Sequence, residues 1–328
     1  MKLEKLKKGD KVGFVSLTNA TDTEEFPESF QNAIEYYQSL GFETVLKQNL
    51  QQNYFGASDT VENRITALNE LIVDDEIKMI VPIRGGTRFN QLIYDIDYKL
   101  IRDNPKWYGG FSDTSAFINL IQKNTGLPGF HGLDANYHIG EWKKFPKSLL
   151  ELNSKTVFDP YNFTVDFQEI NEYRPFNNKE LFNNFRTNGL EFSGTLLGGH
   201  LGSTPVLLGS GCFDQENIVL MFETTTANES TLKLLYGLLE LGLFKNVDGL
   251  ILGYSDLDED NFNEQSIENY QTLYNILEEI LDIANKKYGK KIGLVKTNTL
   301  GHEIQNIIYP LGTQVKFDGK SKLMNVCN

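Results

Sequence analysis

Short apolar runs alternate with longer amphipathic segments over residues 11–125, and no other feature of the chain restricts its fold as strongly. Residues 11–17 (KVGFVSL) read as a buried strand, 29–40 as a helix closed by Gly41, 43–47 as a strand, and 58–73 as a helix capped by Ser58 or Asp59. A strand over 78–83 runs into Arg84-Gly85-Gly86. A short helix follows, then a strand ending at Phe111 and an amphipathic run over 114–125. Strands separated by helices cannot pair as hairpins, so they lie parallel with helices covering both faces. The expected fold class is therefore α/β, beginning with a flavodoxin- or Rossmann-like parallel sheet whose ligands belong at the carboxyl ends of its strands.

Periodicity weakens between about 141 and 188, where Phe158, Tyr161, Phe163, Phe167, Tyr173, Phe176, Phe182 and Phe185 are scattered through polar sequence. Regular patterning resumes with the glycine-rich 194–202, a strand over 217–222 ending at Glu223, a helix over 230–241 and a strand over 247–253. A long helix over 263–287 and a strand over 291–296 complete it. The expected organisation is an N-terminal α/β domain (1–140), a connecting stretch or insertion (141–187) and a smaller C-terminal α/β domain (188–328). There is no solenoid repeat or low-complexity tract.

With 328 residues and 40% hydrophobic content the chain buries a sizeable core, and its formal net charge of −13 argues against nucleic acid or an anionic membrane as partner. The basic cluster Lys5, Lys7, Lys8 reads as a solvated face. Met1-Lys2-Leu3-Glu4-Lys5 has no signal-peptide apolar stretch, and no apolar run is long enough to span a bilayer, which points to the cytoplasm. Cys212 and Cys327 lack metal or disulfide spacing and read as reduced thiols.

Chemistry is most concentrated at Gly110-Phe111-Ser112-Asp113, where a serine ends a strand and precedes a helix. Such a turn exposes a nucleophile and gathers backbone N–H groups for an oxyanion. A serine there also serves as an ordinary N-cap. Ser255 in Gly253-Tyr254-Ser255-Asp256 echoes the pattern, but the acids at 256, 258 and 260 oppose a developing anion. Those acids also start like a calcium loop, yet Asn261 replaces its turn glycine and Ile267 its bidentate glutamate. Gly198-Gly199-His200-Leu201-Gly202 lacks dinucleotide spacing and no P-loop is present, so no nucleotide cofactor is expected. No metal-binding motif appears either. A base for Ser112 must come from His131, His138, His200 or His302. Glu223, after five apolar residues, is the most plausible acid to orient it, since burying it without a partner is expensive.

Arg84-Gly85-Gly86, Gly110-Phe111-Ser112-Asp113, Phe130-His131-Gly132, Gly198-Gly199, Phe222-Glu223, residues 249–253, and Gly301-His302 followed by Pro310-Leu311-Gly312 resemble, in order and spacing, the LD-carboxypeptidase family, which includes the microcin C self-immunity peptidases. The resemblance covers nearly the whole chain. It implies a cofactor-independent, dimeric serine peptidase with Ser112 as nucleophile, Glu223 as orienting acid and His302 as base, and with the Gly86 and Asp113 amides as oxyanion hole. The implied substrates are small: muropeptides losing a terminal D-amino acid, or peptidyl or aminoacyl adenylates of the microcin type. A non-catalytic binding protein that retains the cleft is the alternative. Two departures stand out. His200 occupies a position where the family commonly has Asn, and the stretch 151–188 has no Trp to stack on a nucleotide, leaving its Tyr and Phe residues for that contact.

Overall fold

The computed structural model describes the chain apart from residues 1, 22–25, 49, 51–52, 137, 171–189, 224–228, 254–263, 303–305 and 328. It divides into two units, Met1–Pro160 with Ile307–Gly312 and Tyr161–Asn306 with Thr313–Asn328. In chain order the strands are β1 (Lys11–Val15), β2 (Glu43–Leu46), β3 (Ile77–Pro82), β4 (Trp107–Gly110), β5 (Gly129–His131), β6 (Thr164–Asp166), β7 (Glu191–His200), β8 (Ile218–Glu223), β9 (Val247–Leu252), β10 (Gly293–Lys296), β11 (Tyr309–Leu311), β12 (Gln314–Asp318) and β13 (Leu323–Val326).

The first unit holds a sheet of order β11-β5-β4-β3-β1-β2. Its five N-terminal strands are parallel, and β11 joins the β5 edge antiparallel. The order 2-1-3-4-5 is that of flavodoxin-like sheets, which reverse direction between β1 and β3 and open a crevice there. Helices α1 (Phe26–Ser39), α2 (Val61–Val73), α3 (Tyr98–Asp103) and α4 (Ser115–Thr125) alternate with these strands. Strands β1, β3 and β4 are buried along nearly their whole length, which is why they read as continuous apolar runs rather than alternating ones. On α4, Phe117 and Ile118 are fully buried, each stabilising the fold by roughly 1.5–3 kcal/mol.

Two local expectations are corrected. The cap of α2 is Thr60, whose Oγ1 accepts the Asn63 N–H at 3.2 Å. Ser58 instead lies buried and donates to the Ser16 carbonyl at 3.0 Å. The stretch expected to loosen after 141 carries a regular helix, α5 (Lys147–Phe158), whose face holds only three buried residues and so gives little apolar periodicity to read. Its buried Asn153 accepts the Ile308 N–H at 2.9 Å, securing the approach to β11.

The second unit holds a mixed sheet, β10-β9-β8-β7-β12-β13-β6. The first four strands are parallel and the last three antiparallel. The short helices α6 (Phe167–Ile170) and α7 (Thr204–Gly209) and the longer α8 (Glu229–Glu240) and α9 (Glu264–Tyr288) belong to this unit, with α9 packed on α8. Strand β8 is buried throughout, whereas β12 alternates buried and exposed residues as a strand with one solvated face does. Of the aromatic residues in the connecting stretch, Phe163 and Phe167 are core residues of this unit. Phe167 packs 6.0 Å from Phe317, which stacks on Phe192 at 4.8 Å. Phe158 stacks on Phe42 of the first unit at 5.2 Å. Neither Phe163 nor Phe167 is therefore a free stacking surface, and Tyr173, Phe176, Phe182 and Phe185 lie outside the described residues. Among the described residues no helix is long and apolar enough to cross a membrane.

Candidate active site

In the first unit the chain leaves β4 through a tight turn. Phe111 is extended and Ser112 enters the left-handed region at φ 55°, the first residue of a 3-10 turn over Ser112–Thr114. A non-glycine residue held there costs on the order of 1–3 kcal/mol, a strain that recurs where a side chain must be presented from a strand-to-helix turn. Thr114 fixes the turn: its Oγ1 accepts the Phe111 N–H at 3.0 Å and donates to the Phe111 carbonyl at 2.7 Å. Ser115 Oγ donates to the Ser112 carbonyl at 2.7 Å. The capping position falls to Phe111, so Ser112 is not the N-cap that its sequence position also allows.

The loop after β3 closes over this turn. A Cβ on Gly85 would stand 2.6 Å from Ser112 Cβ, so only glycine permits the approach. Gly86 has φ 151° and faces Asn19, whose Oδ1 would lie 2.3 Å from an added Cβ and accepts the Thr87 N–H at 3.0 Å. Thr18 Oγ1 lies 2.9 and 2.7 Å from the carbonyls of Arg84 and Gly85. Both Thr18 and Asn19 follow β1, so the two strands flanking the switch point hold one loop between them. Asp113 is buried, and its carboxylate accepts the Phe89 N–H at 2.9 Å. Burial pushes its carboxyl up to about 6, against the lowering pull of the backbone donors at Phe89 and Arg88.

His131 and His138 belong to the packing beneath this turn. His131 lies in β5 opposite Gly110, its ring 5.6 Å from Phe111. The His138 ring is 5.4 Å from Phe111 and 5.1 Å from Phe145. Both are buried.

In the second unit Glu223 ends β8 and is fully buried, and its Oε2 lies 2.6 Å from His302 Nδ1. A carboxylate at that position sets which ring nitrogen carries the proton and supports the imidazolium. His302 stands in a loop after β10 that Asn306 clasps, accepting the Gly301 N–H at 2.8 Å and donating to its carbonyl at 2.7 Å. Nothing in residue type or spacing marks Asn306 beforehand. His200 ends β7 in register with Glu223, and its ring centroid is 5.2 Å from that of His302. Burial lowers the affinity of His200 for a proton; Glu223 opposes that effect and His302 adds to it. Residue type alone pairs Glu223 with a histidine without saying which; the resemblance implies His302, and the fold brings both His302 and His200 beside it. Ser255 and the acids 256–260 lie outside the described residues.

The LD-carboxypeptidase N-terminal domain model matches residues 12–132 and the LD-carboxypeptidase C-terminal domain model residues 193–317, together more than half of the chain. The chain belongs to the LD-carboxypeptidase family. It is 27% identical to the microcin C7 self-immunity protein MccF of Escherichia coli, over 97% of this chain and 93% of that protein. A solved structure of MccF in complex with aspartyl sulfamoyl adenosine matches at a TM-score of 0.78 and 25% identity, covering 99% of this chain and 98% of the other. The muramoyltetrapeptide carboxypeptidase of Oxalobacter formigenes shares the fold at a TM-score of 0.74 and 17% identity, covering 97% and 99%. The family confirms the α/β class, the two-domain arrangement and a peptidase.

Proposed function

We propose that this peptidase is of the serine type, with Ser112 as nucleophile, His302 as general base and Glu223 as the acid that orients it. The observation that carries the reading is the 2.6 Å pairing of His302 Nδ1 with a fully buried Glu223 at a strand's carboxyl end. Glu223 holds the Nδ1 proton, leaving Nε2 to take the proton of Ser112 Oγ as it attacks the substrate carbonyl. The Gly86 and Asp113 amides receive the oxyanion, and the imidazolium returns its proton to the leaving amine. Water then releases the acyl group by the same steps in reverse roles.

The substrate is a small molecule with an amide near a free carboxylate, either a muropeptide whose terminal D-amino acid is removed or a peptidyl or aminoacyl adenylate of the microcin type. The likeness to MccF along nearly the whole chain supports the second class, and the absence of Trp over 151–188 weakens it. The protein works without a cofactor, in the cytoplasm and as a homodimer in this reading.

The deciding experiment assays muropeptide and microcin-type turnover on one preparation, with wild type and Ser112→Ala. A fall of at least ~10³-fold in the variant is expected. Equal activity of the two proteins removes Ser112 from the mechanism. A wild type inert on every substrate but binding one of them points to the non-catalytic alternative.

A further inference from the structure

His200, Glu223 and His302 form a cluster whose donor set exceeds what a base and its orienting acid require. One ring nitrogen or carboxylate oxygen from each lies within 4.8 Å of the other two. We propose that these three side chains bind a first-row divalent cation of the zinc type, and that the bound ion occupies His302 and silences the enzyme reversibly.

The donors favour such an ion. Two imidazoles and a carboxylate with a position left for water are a ligand set that zinc takes, while the nitrogen donors disfavour magnesium and calcium. A tetrahedral ion with bonds of about 2.0–2.1 Å sets its ligand atoms roughly 3.3 Å apart. The cluster therefore needs only to draw in from 4.8 Å on its long side and to open the 2.6 Å Glu223–His302 contact on its short one.

Two of the three ligands are held by the sheet. His200 and Glu223 are register partners at the ends of adjacent parallel strands. The His200 ring lies against Gly202, where an added Cβ would stand 2.7 Å from Cε1, so a larger residue there would push the ring out of place. His302, on the loop after β10, supplies the third arm, and its side chain is 13% exposed. The chain's net charge of −13 raises the local concentration of cations.

Binding does not depend on the peptidase assignment; the silencing does, since it rests on His302 being the base. The test uses the full chain stripped of metal by a chelator and dialysed, then titrated with zinc alone against a chromogenic zinc indicator, and separately with cobalt(II) followed by its visible absorption. Expected are one ion per chain in competition with the indicator, cobalt bands of four-coordinate intensity, and unchanged binding in Ser112→Ala. His200→Asn should weaken binding by at least ~10-fold, the lower end of what even supporting residues of metal sites cost. His302→Ala, altered in a loop rather than at a strand end, should do the same, so a fold defect in one variant leaves the other decisive. No competing ion in wild type, or full binding in both variants, overturns the site. In turnover assays full activity is expected in chelator and loss with stoichiometric zinc, restored by chelator. Binding without inhibition overturns the silencing and leaves the site standing.

Discussion

Gly85 and Ser112 approach so closely that a methyl group on Gly85 would stand 2.6 Å from the Ser112 Cβ and 2.9 Å from its Oγ. Ser112 is already at φ 55° in a turn locked by Thr114, so it cannot yield by rotating its backbone into an unstrained region. Gly85→Ala should displace the hydroxyl while the sheet persists. A displacement of about 1 Å at a reacting group costs on the order of 10²-fold, and kcat/KM should fall by at least that much with circular dichroism unchanged. Near-normal turnover in a folded Gly85→Ala protein would separate the loop from the chemistry.

Replacing Glu223 by Gln keeps the shape of the side chain and removes the charge that faces His302 Nδ1 at 2.6 Å. The imidazole then loses support for its cation and can take the other tautomer. A loss of about 10²- to 10⁴-fold in kcat is expected with little change in KM, and His302→Ala should lose about 10³-fold or more. Steady-state kinetics of the two variants check this; a change confined to KM would assign Glu223 to binding.

Asp113 makes stability depend on pH. Its folded carboxyl is raised from 3.8 to about 6 by burial. Between those values the native state keeps a proton that the unfolded chain has released, so folding takes up a proton and stability falls as pH rises through this window. Asp113→Asn removes the titration while retaining an oxygen for the Phe89 N–H. The stability of the variant relative to wild type should improve by on the order of 2–3 kcal/mol between pH 4 and pH 7. Urea denaturation at the two pH values measures it, and an equal difference at both would remove the buried carboxyl from the account.

Asn153 tests the tie between α5 and the segment leading to β11. Its Oδ1 accepts the Ile308 N–H at 2.9 Å in a fully buried setting. Asn153→Leu leaves that N–H without an acceptor, which should cost about 1–3 kcal/mol. A lowered urea midpoint with an unchanged denaturant slope is the expected signature.

Much of the chain was legible before folding because its signals are local. The strands β1, β3, β8 and β9 carry largely apolar runs, interrupted by Lys78 in β3 and Asp248 in β9, whose burial follows from lying inside parallel sheets, and each boundary fell within about two residues of its sequence reading. The strand-end position of Glu223 follows from the β8 run, and Ser112 follows the short buried β4. Strands β11 and β13 were not legible, being only three and four residues long, and β12, though it alternates as a half-solvated strand does, spans just five residues. Their place is set by pairing with distant partners, β11 with β5 and β12 with β7.

By itself, then, the sequence determined the α/β class, the glycine and serine at the turns, and an acid ending a buried strand, since each depends on burial or backbone freedom over a few neighbouring residues. The three-dimensional fold decided what residue types and local spacing leave open: which histidine meets Glu223, and that His200 stands beside both members of the His302 pair. Those outcomes rest on contacts between residues far apart in the chain, 79 positions for Glu223 and His302, and no local pattern encodes a distance across that separation.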